Sequence, residues 1–231
     1  MKLLKYILAV VVTAVLCVFG MNVDCTAETL PDKRNETSIM DTSYYKIKHS
    51  IFEAMPDYEG GVVFLGDSLT DYVKFDELLP DVKAVNRGIA GDTTFGVLNR
   101  LDEVISRKPS KLFVLIGCND VFFGVSNDKI IENIRTIITR VREGSPETKI
   151  YLETVMPTNP NFETNRPNDT INALNVKIKA LADETGCKLV DTHSRMAEDG
   201  ILPLKYTVDG IHLNGSGIVW WVEFLKPFVN E

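Results

Sequence analysis

Residues 62–70 read Val62-Val63-Phe64-Leu65-Gly66-Asp67-Ser68-Leu69-Thr70, a short apolar run that stops at a glycine and is followed by an acid and two hydroxyl residues. In an α/β protein, such a transition marks the carboxyl end of a buried strand, where ligands bind. A serine at this position can act as a nucleophile if a base and an oxyanion site converge on it. Alternatively, Ser68 caps the next helix, or its loop holds a phosphate.

The composition is that of an ordinary globular protein. Of its 231 residues, 45% are hydrophobic and 25% are charged, which is enough for one domain with a full core. The formal net charge is −7 and the pI is about 5.1. Because the sequence contains no basic stripe, its charge argues against binding to nucleic acid or to an anionic membrane surface.

The first 27 residues have the pattern of a secretory signal peptide. Lys2 and Lys5 supply a positive start, residues 7–20 are almost all apolar, and residues 25–27 offer a cleavage site. The apolar run is short for a membrane span. We therefore expect an exported protein, periplasmic or secreted, that is cleaved after Ala27 and then has no stable membrane insertion. An uncleaved anchor is the alternative.

A single domain is expected to follow the signal peptide. Residues 28–38 are polar and form a leader or linker, and the domain is expected over residues 39–231, beginning with an amphipathic helix over 39–55. The two cysteines of the mature chain, Cys118 and Cys187, flank different apolar runs and are predicted to lie at opposite edges of a sheet. That separation is too large for a disulfide.

Apolar runs alternate with helical patterns along this domain. Strands are predicted at residues 61–65, 82–85, 111–116, 149–155 and 187–191. Amphipathic helices are predicted at residues 93–106, 130–141, 171–181 and 215–229. Alternation of this kind predicts an α/β fold with a parallel sheet covered on both faces. We expect a flavodoxin-like three-layer αβα sandwich with a five-stranded parallel sheet of order 2-1-3-4-5.

Small and polar residues follow the predicted strands, and all of these segments would lie at one edge of the sheet. Ser68 follows the first strand, Gly91 the second and Asn119 the third, while Asp209 and His212 lie near the carboxyl terminus. Taken singly, each residue could serve only a turn or a helix cap. Their accumulation at one edge beside a serine indicates an active site.

Acyl transfer explains why these residue types would be needed together. A serine hydroxyl requires a base, for which histidine is suited, and a carboxylate that orients the imidazole. Asp209 and His212 are three residues apart, which places both side chains on one side of a turn. The chain order Ser, Asp, His is known among such triads. Gly91 can offer a backbone N–H, and the Asn119 amide a further donor, to an oxyanion.

Four blocks of this sequence resemble the GDSL hydrolases of the SGNH-hydrolase superfamily. They are Gly66-Asp67-Ser68-Leu69, Gly91, Gly117-Cys118-Asn119-Asp120 and Asp209-Gly210-Ile211-His212. The resemblance spans about residues 60–228. In addition, the segment over residues 86–94 is similar to the branch that includes platelet-activating-factor-acetylhydrolase-like esterases and bacterial carbohydrate acetylesterases.

The resemblance implies a serine esterase with an acyl-enzyme mechanism. Ser68 would be the nucleophile, His212 the base and Asp209 its orienting carboxylate. The oxyanion donors would be Ser68, Gly91 and Asn119. No metal or organic cofactor is implied, and the expected partner is a small-molecule or glycan acyl ester.

Three other interpretations remain open. Asp191 and His193 also follow a predicted strand and could supply a carboxylate and a base, although a structural histidine is the favoured interpretation. A non-catalytic flavodoxin-like domain could bind a flavin, nucleotide or sugar, but Asp67 and Asp71 beside Ser68 would repel a phosphate. A third possibility is a secreted carbohydrate-binding protein that has kept an esterase fold.

The substrate is less constrained than the reaction. Cys118 and Phe122 follow the third strand and are predicted to contact substrate, together with the loop over residues 156–169. No long lid or hydrophobic flap is apparent, which disfavours an interfacial lipase. We favour a short acyl group, acetyl, and O-deacetylation of carbohydrate. A lysophospholipase or a thioesterase of the same fold is the alternative.

Overall fold

The computed structural model describes residues 35–56 and 59–231. The expected signal peptide, residues 1–27, and most of the expected leader lie outside the described residues. None of the helices in the described ranges is long and apolar enough to cross a membrane.

The centre of the domain is a five-stranded parallel sheet of order β2-β1-β3-β4-β5, which confirms the predicted topology. The strands are β1 (Val62–Gly66), β2 (Ala84–Gly88), β3 (Lys111–Leu115), β4 (Lys149–Glu153) and β5 (Lys188–Val190). Gly66, the last residue of β1, pairs with Gly88 of β2 and Leu115 of β3. β2, β1 and β3 therefore end at the same level, and the segments that follow them are neighbours.

Helices connect the strands and cover both faces of the sheet. They are α1 (Ser43–Ala54), α2 (Ser68–Asp71), α3 (Phe75–Leu78), α4 (Thr94–Asn99), α5 (Leu101–Ser106), α6 (Cys118–Phe122), α7 (Asn127–Gly144), α8 (Asn168–Thr185), α9 (Thr192–Met196) and α10 (Gly215–Asn230). Short 3-10 helices span Ser38–Asp41 and Leu204–Tyr206. Gly186 ends α8 in the left-handed conformation, with φ of 65°, as a helix-terminating glycine commonly does.

The core consists of two apolar layers, one on each face of the sheet. Val63 and Leu65 of β1 pack into the layer beneath α7 and α8, whereas Val62 and Phe64 pack into the layer beneath α10. This division follows from the alternation of side chains along a strand. Trp221 of α10 is 1% exposed within the second layer.

Most predicted boundaries shift by one to three residues, and two larger differences lie near the carboxyl edge of the sheet. β2 continues to Gly88 instead of ending at residue 85, since residues 86–88 also pair with β1. The Asn86 side chain donates to Thr70 O at 2.7 Å and accepts the Gly88 N–H at 2.7 Å. The helix predicted over residues 93–106 is two helices joined at Arg100. The buried Arg100 guanidinium bonds Asp92 Oδ2 at 2.8 Å and Gly66 O at 3.1 Å, which ties this junction to the sheet edge.

The amino-terminal helix is also shorter than predicted. The prediction covered residues 39–55, whereas a 3-10 turn, Ser38–Asp41, precedes α1. Thr42 separates them in an extended conformation, and its side chain accepts the Tyr45 N–H as a helix cap. Cys118 and Cys187 are buried free thiols.

Candidate active site

Ser68 lies at the first position of α2, directly after β1. The preceding residue, Asp67, caps the helix by accepting the Leu69 N–H at 3.0 Å. A Cβ at Gly66 would lie 2.3 Å from Thr70 Oγ1 and 2.4 Å from Leu115 O, so the tight turn that presents Ser68 requires glycine there. Ser68 itself is 7% exposed.

Ser68, His212 and Asp209 form a continuous chain of hydrogen bonds. His212 Nε2 lies 2.9 Å from Ser68 Oγ, and His212 Nδ1 lies 2.6 Å from Asp209 Oδ2. The serine and the histidine are 144 residues apart in sequence. The structure thus brings together the three residues that the sequence predicted as nucleophile, base and orienting carboxylate.

Asp209 is held in its ionised form by the turn that carries it. Its Oδ1 accepts the backbone N–H of Ile211 at 3.0 Å and that of His212 at 2.8 Å. Partial burial raises the pKa of Asp209, but hydrogen bonds from the His212 ring and from these two N–H groups outweigh burial. The net result is a pKa below the ordinary value.

The turn over residues 207–213 is closed by polar contacts of its own. Thr207 Oγ1 donates to His212 O at 2.8 Å and accepts the Gly210 N–H at 2.9 Å. Thr207 and Leu213 form an isolated antiparallel bridge across the turn. Gly210 has φ of 83°, in the left-handed region that favours glycine. These contacts hold the imidazole on one side of the turn, over Ser68.

Donors suited to an oxyanion lie in the loops beside Ser68. Gly91 has φ of 84°, and no acceptor in the described part of the chain takes its N–H or that of Ser68. The Asn119 side chain donates from Nδ2 to Asp92 O at 2.9 Å, which joins the loop after β3 to the loop after β2. One Nδ2 hydrogen of Asn119 is left over for a ligand.

Buried carboxyl groups lie beneath these loops. Burial raises the pKa of Asp67 to about 7 and that of Asp92 to about 6, although the Arg100 guanidinium opposes the effect at Asp92. Asp120 accepts the Thr94 N–H at 3.2 Å and the Thr94 hydroxyl at 2.5 Å. Asp120 and Thr94 thus fix the two donor loops to each other, a contact that the sequence analysis did not predict.

The two predicted substrate contacts differ in their surroundings. Cys118 is 5% exposed and its side chain packs in the core layer beneath α7 and α8. Burial raises the pKa of its thiol to about 12. Phe122 is 44% exposed and lies beneath the Arg166 guanidinium, 4.7 Å from ring centroid to Cζ. A role for either residue in substrate binding stays a prediction.

The alternative pair, Asp191 and His193, has other partners. The Asp191 carboxylate accepts hydrogen bonds from Thr154 Oγ1 at 3.0 Å, Lys179 Nζ at 2.6 Å and Ser194 Oγ at 2.9 Å. His193 Nε2 is buried without a hydrogen-bond partner in the described structure. Burial lowers the pKa of this imidazole, against the opposing charge of Asp191. This environment is that of a structural histidine.

Sequence reasoning missed Arg166, which contacts the predicted oxyanion residue Asn119. Its Nη2 donates to Asn119 Oδ1 at 2.7 Å. Arg166 lies in the long loop after β4, where irregular backbone offers no periodic signal. No group of three metal-ligating side chains occurs among residues 35–56 and 59–231.

The fold and the hydrogen-bonded serine, histidine and aspartate define an α/β serine hydrolase that acts on ester bonds. Residues 64–218 match the model of the GDSL-like Lipase/Acylhydrolase family, and the chain belongs to this family. Human platelet-activating factor acetylhydrolase IB subunit alpha2 is 30% identical over 180 residues, which cover 74% of this chain and 75% of that protein. The bovine alpha1 subunit of platelet-activating factor acetylhydrolase IB is 28% identical over 189 residues, which cover 77% of this chain and 78% of that protein.

Solved structures share the fold. A GDSL-like lipase from Bacteroides thetaiotaomicron superposes with a TM-score of 0.70 at 24% identity, covering 80% of this chain and 97% of that one. An acetylxylan esterase from Geobacillus stearothermophilus superposes with a TM-score of 0.61 at 21% identity, covering 76% of this chain and 95% of that one. At sequence identities of 24% and 21%, these superpositions are evidence for a shared α/β fold alone.

Proposed function

We propose that Ser68 is the nucleophile of this esterase, His212 its general base and Asp209 the carboxylate that orients the imidazole. The observation that carries the proposal is the chain of hydrogen bonds, 2.9 Å and 2.6 Å long, from Ser68 Oγ through His212 to Asp209. With Nδ1–H donated to Asp209, the Nε2 lone pair faces the serine hydroxyl. This is the tautomer that a general base requires.

The reaction follows from this geometry in two halves. Ser68 Oγ attacks the ester carbonyl while its proton passes to His212 Nε2, and the tetrahedral intermediate collapses as His212 returns the proton to the leaving alcohol. Water then attacks the acyl-enzyme with the same proton transfers, which releases the acid and restores the serine. Asp209 stabilises the imidazolium that forms in each half.

The negative oxygen of each tetrahedral intermediate needs hydrogen-bond donors. We assign this task to the backbone N–H groups of Ser68 and Gly91 and to the Asn119 side chain. Ser68 and Asn119 lie in the first turns of α2 and α6, and Gly91 lies in the loop after β2, all at the carboxyl edge of the sheet. Each has an N–H without an acceptor among the described residues. Loss of one such donor typically lowers kcat by about 100- to 1000-fold.

Hydrolysis of p-nitrophenyl acetate tests the assignment. We expect Ser68→Ala and His212→Ala to lower kcat by at least about 1000-fold while the circular dichroism spectrum and the melting temperature stay close to those of the wild type. His193→Ala is the matched control and should retain kcat within a few-fold. An active His212→Ala enzyme, or an inactive but folded His193→Ala enzyme, would overturn the choice of base.

We further propose that the acyl group is short, acetyl, and that the alcohol part is a carbohydrate. The names of the platelet-activating factor acetylhydrolase relatives and of the acetylxylan esterase neighbour support the acetyl preference, because they describe hydrolysis of acetyl esters. The side chains of His212 and Asp209 are 28% and 48% exposed. This side of the site is therefore open to water, which suits a bulky, polar alcohol better than a long acyl chain.

A chain-length series tests this specificity. We expect kcat/KM to fall as p-nitrophenyl esters lengthen from acetate to decanoate, and we expect release of acetate from acetylated xylan, pectin or an O-acetylated sialic acid. If kcat/KM instead rises with chain length, the acetyl preference is wrong. In that case the lysophospholipase or thioesterase alternative, tested with lysophosphatidylcholine and an acyl-CoA, takes its place.

We also propose that the protein is exported and cleaved after Ala27. The positive start and the apolar run of residues 7–20 support this proposal. Amino-terminal sequencing of the mature protein should begin at Glu28. A mature protein that still begins at Met1 would contradict cleavage.

A further inference from the structure

The Arg166 guanidinium converges on the loop that carries Asn119. Its Nη2 donates to Asn119 Oδ1 at 2.7 Å, its Nε to Cys118 O at 3.2 Å and its Nη1 to Thr164 O at 2.8 Å. The same group stacks on the Phe122 ring. Two of the three acceptors belong to consecutive residues of α6, so the arginine clamps the beginning of this helix to the loop after β4.

All three acceptors are neutral. Within the described ranges, no carboxylate forms an ion pair with Arg166, whereas the buried Arg100 is paired with Asp92 at 2.8 Å. The Arg166 charge opposes the effect of burial on the pKa of Asp67, but none of its hydrogen bonds goes to a carboxylate. Those hydrogen bonds instead fix the orientation of the neutral groups that accept them.

The contact determines which end of the Asn119 amide faces the oxyanion site. An arginine side chain has only donors, and a backbone carbonyl has only lone pairs to offer. Arg166 therefore requires Oδ1 on its side, and Asp92 O, 2.9 Å from Nδ2, requires the NH₂ group on the other. A rotation of the amide by half a turn would set donor against donor and acceptor against acceptor.

We propose that Arg166 is a positioning residue of the oxyanion hole, which acts on the reaction through the Asn119 amide. By fixing Oδ1, it directs the remaining Nδ2 hydrogen toward the intermediate, and its charge makes that N–H a stronger donor. Donors fixed in advance need no reorganisation as the negative charge develops. The inference rests on the proposed function, in which Asn119 is an oxyanion donor.

A double-mutant cycle between Arg166→Met and Asn119→Ala tests the inference with p-nitrophenyl acetate. We expect Arg166→Met to lower kcat by about 10- to 100-fold with KM changed less than about threefold, since the loss is that of part of one donor. We expect no further loss when Arg166→Met is added to Asn119→Ala, because the arginine then has no amide to orient. Losses that multiply in the double variant would contradict the inference, as would wild-type kcat in Arg166→Met.

Two controls separate this result from other failures. If Asn119→Ala itself keeps wild-type kcat, the oxyanion assignment fails, and the inference about Arg166 fails with it. The surface variant Arg135→Met, which loses an ion pair with Glu184, should keep wild-type kcat. If Arg166→Met does not fold, Arg166→Lys carries the same cycle with the same expected pattern, since lysine cannot bond Cys118, Thr164 and Asn119 at once.

Discussion

Among the individual side chains, Asp209 uses its two carboxylate oxygens for different tasks. Oδ1 accepts the backbone N–H groups of Ile211 and His212 and thereby shapes the turn. Oδ2 accepts a hydrogen bond from Nδ1–H of the imidazole and thereby selects the tautomer of His212. Because the tasks fall on separate oxygens, a substitution that alters only one of them can separate the structural contribution from the chemical one.

Asp209→Asn is that substitution. The amide oxygen can still accept both backbone N–H groups, but an NH₂ group replaces Oδ2 and donates to His212 Nδ1. The imidazole proton then moves to Nε2, which can no longer accept from Ser68. We expect kcat for p-nitrophenyl acetate to fall by about 1000- to 10,000-fold with little change in melting temperature. Asp209→Ala loses both tasks and should lower both kcat and the melting temperature. A kcat within tenfold of wild type in Asp209→Asn would contradict the proposed role.

Whether the sequence predicts the place of a site residue depends on which kind of segment carries that residue. Ser68 and Asn119 come a few residues after the ends of β1 and β3, so topology alone predicts that they share an edge. Arg166 contacts Asn119 across 47 residues, and its loop has no periodic pattern that would fix where its side chain points. Such contacts depend on the path of an irregular loop, which local propensity does not determine.

Among the local elements, the turn over residues 207–213 is the one on which the position of His212 depends. Gly210 combines φ of 83° with close packing, since a Cβ there would lie 2.8 Å from Phe162 Cδ2 and 3.0 Å from Asn159 O. Asn159 N–H also donates to Gly210 O at 2.8 Å. The turn is thus packed against the loop after β4, the same loop that carries Arg166.

Gly210→Ala should therefore destabilise the protein by more than its backbone conformation alone explains. We expect the free energy of unfolding, measured in urea, to fall by about 1–2 kcal/mol because of the positive φ. Overpacking should lower it by about 1–3 kcal/mol more. The matched control is Gly200→Ala, where φ is 78° and no atom lies within 4 Å of the added Cβ. Equal losses in the two variants would show that the packing contributes nothing.

The helices and strands themselves were largely predictable, because apolar spacing reports which side of an element is buried. The stripe from residue 130 to 141 predicted most of α7, which spans Asn127–Gly144. The prediction was wrong at Arg100, where one expected helix is two. The cause is a buried ion pair between Arg100 and Asp92, a tertiary contact that overrides a local apolar pattern.

Across the domain as a whole, buried carboxyl groups accumulate near the carboxyl edge of the sheet. Burial raises the pKa of Asp67 and of Glu153 to about 7 and that of Asp92 to about 6. Each of these groups holds its proton more tightly in the folded state than in the unfolded chain. As the pH rises, these carboxyl groups ionise in the unfolded chain before they ionise in the folded protein. The free energy of unfolding therefore falls across that pH range.

Glu153 offers the clearest measurement of this effect, because it lies at the end of β4 outside the proposed catalytic chain. Its Oε2 accepts Thr192 Oγ1 at 2.7 Å and Trp221 Nε1 at 3.0 Å. These two hydrogen bonds lower the pKa, but burial dominates and raises it from 4.5 to about 7. The stabilisation that the protonated group provides is therefore complete below pH 4.5 and is lost as the pH rises through about 7.

Glu153→Gln should remove this dependence while keeping an oxygen that can accept both hydrogen bonds. We expect the free energy of unfolding of the variant, relative to wild type, to rise between pH 5 and pH 8 by roughly 2 to 3 kcal/mol, because most of the pKa difference between the folded and unfolded states acts in this range. Urea unfolding of both proteins at several pH values measures it. Curves that stay parallel across this range would show that Glu153 has the same proton affinity in the folded and unfolded states, contrary to its burial against Trp221.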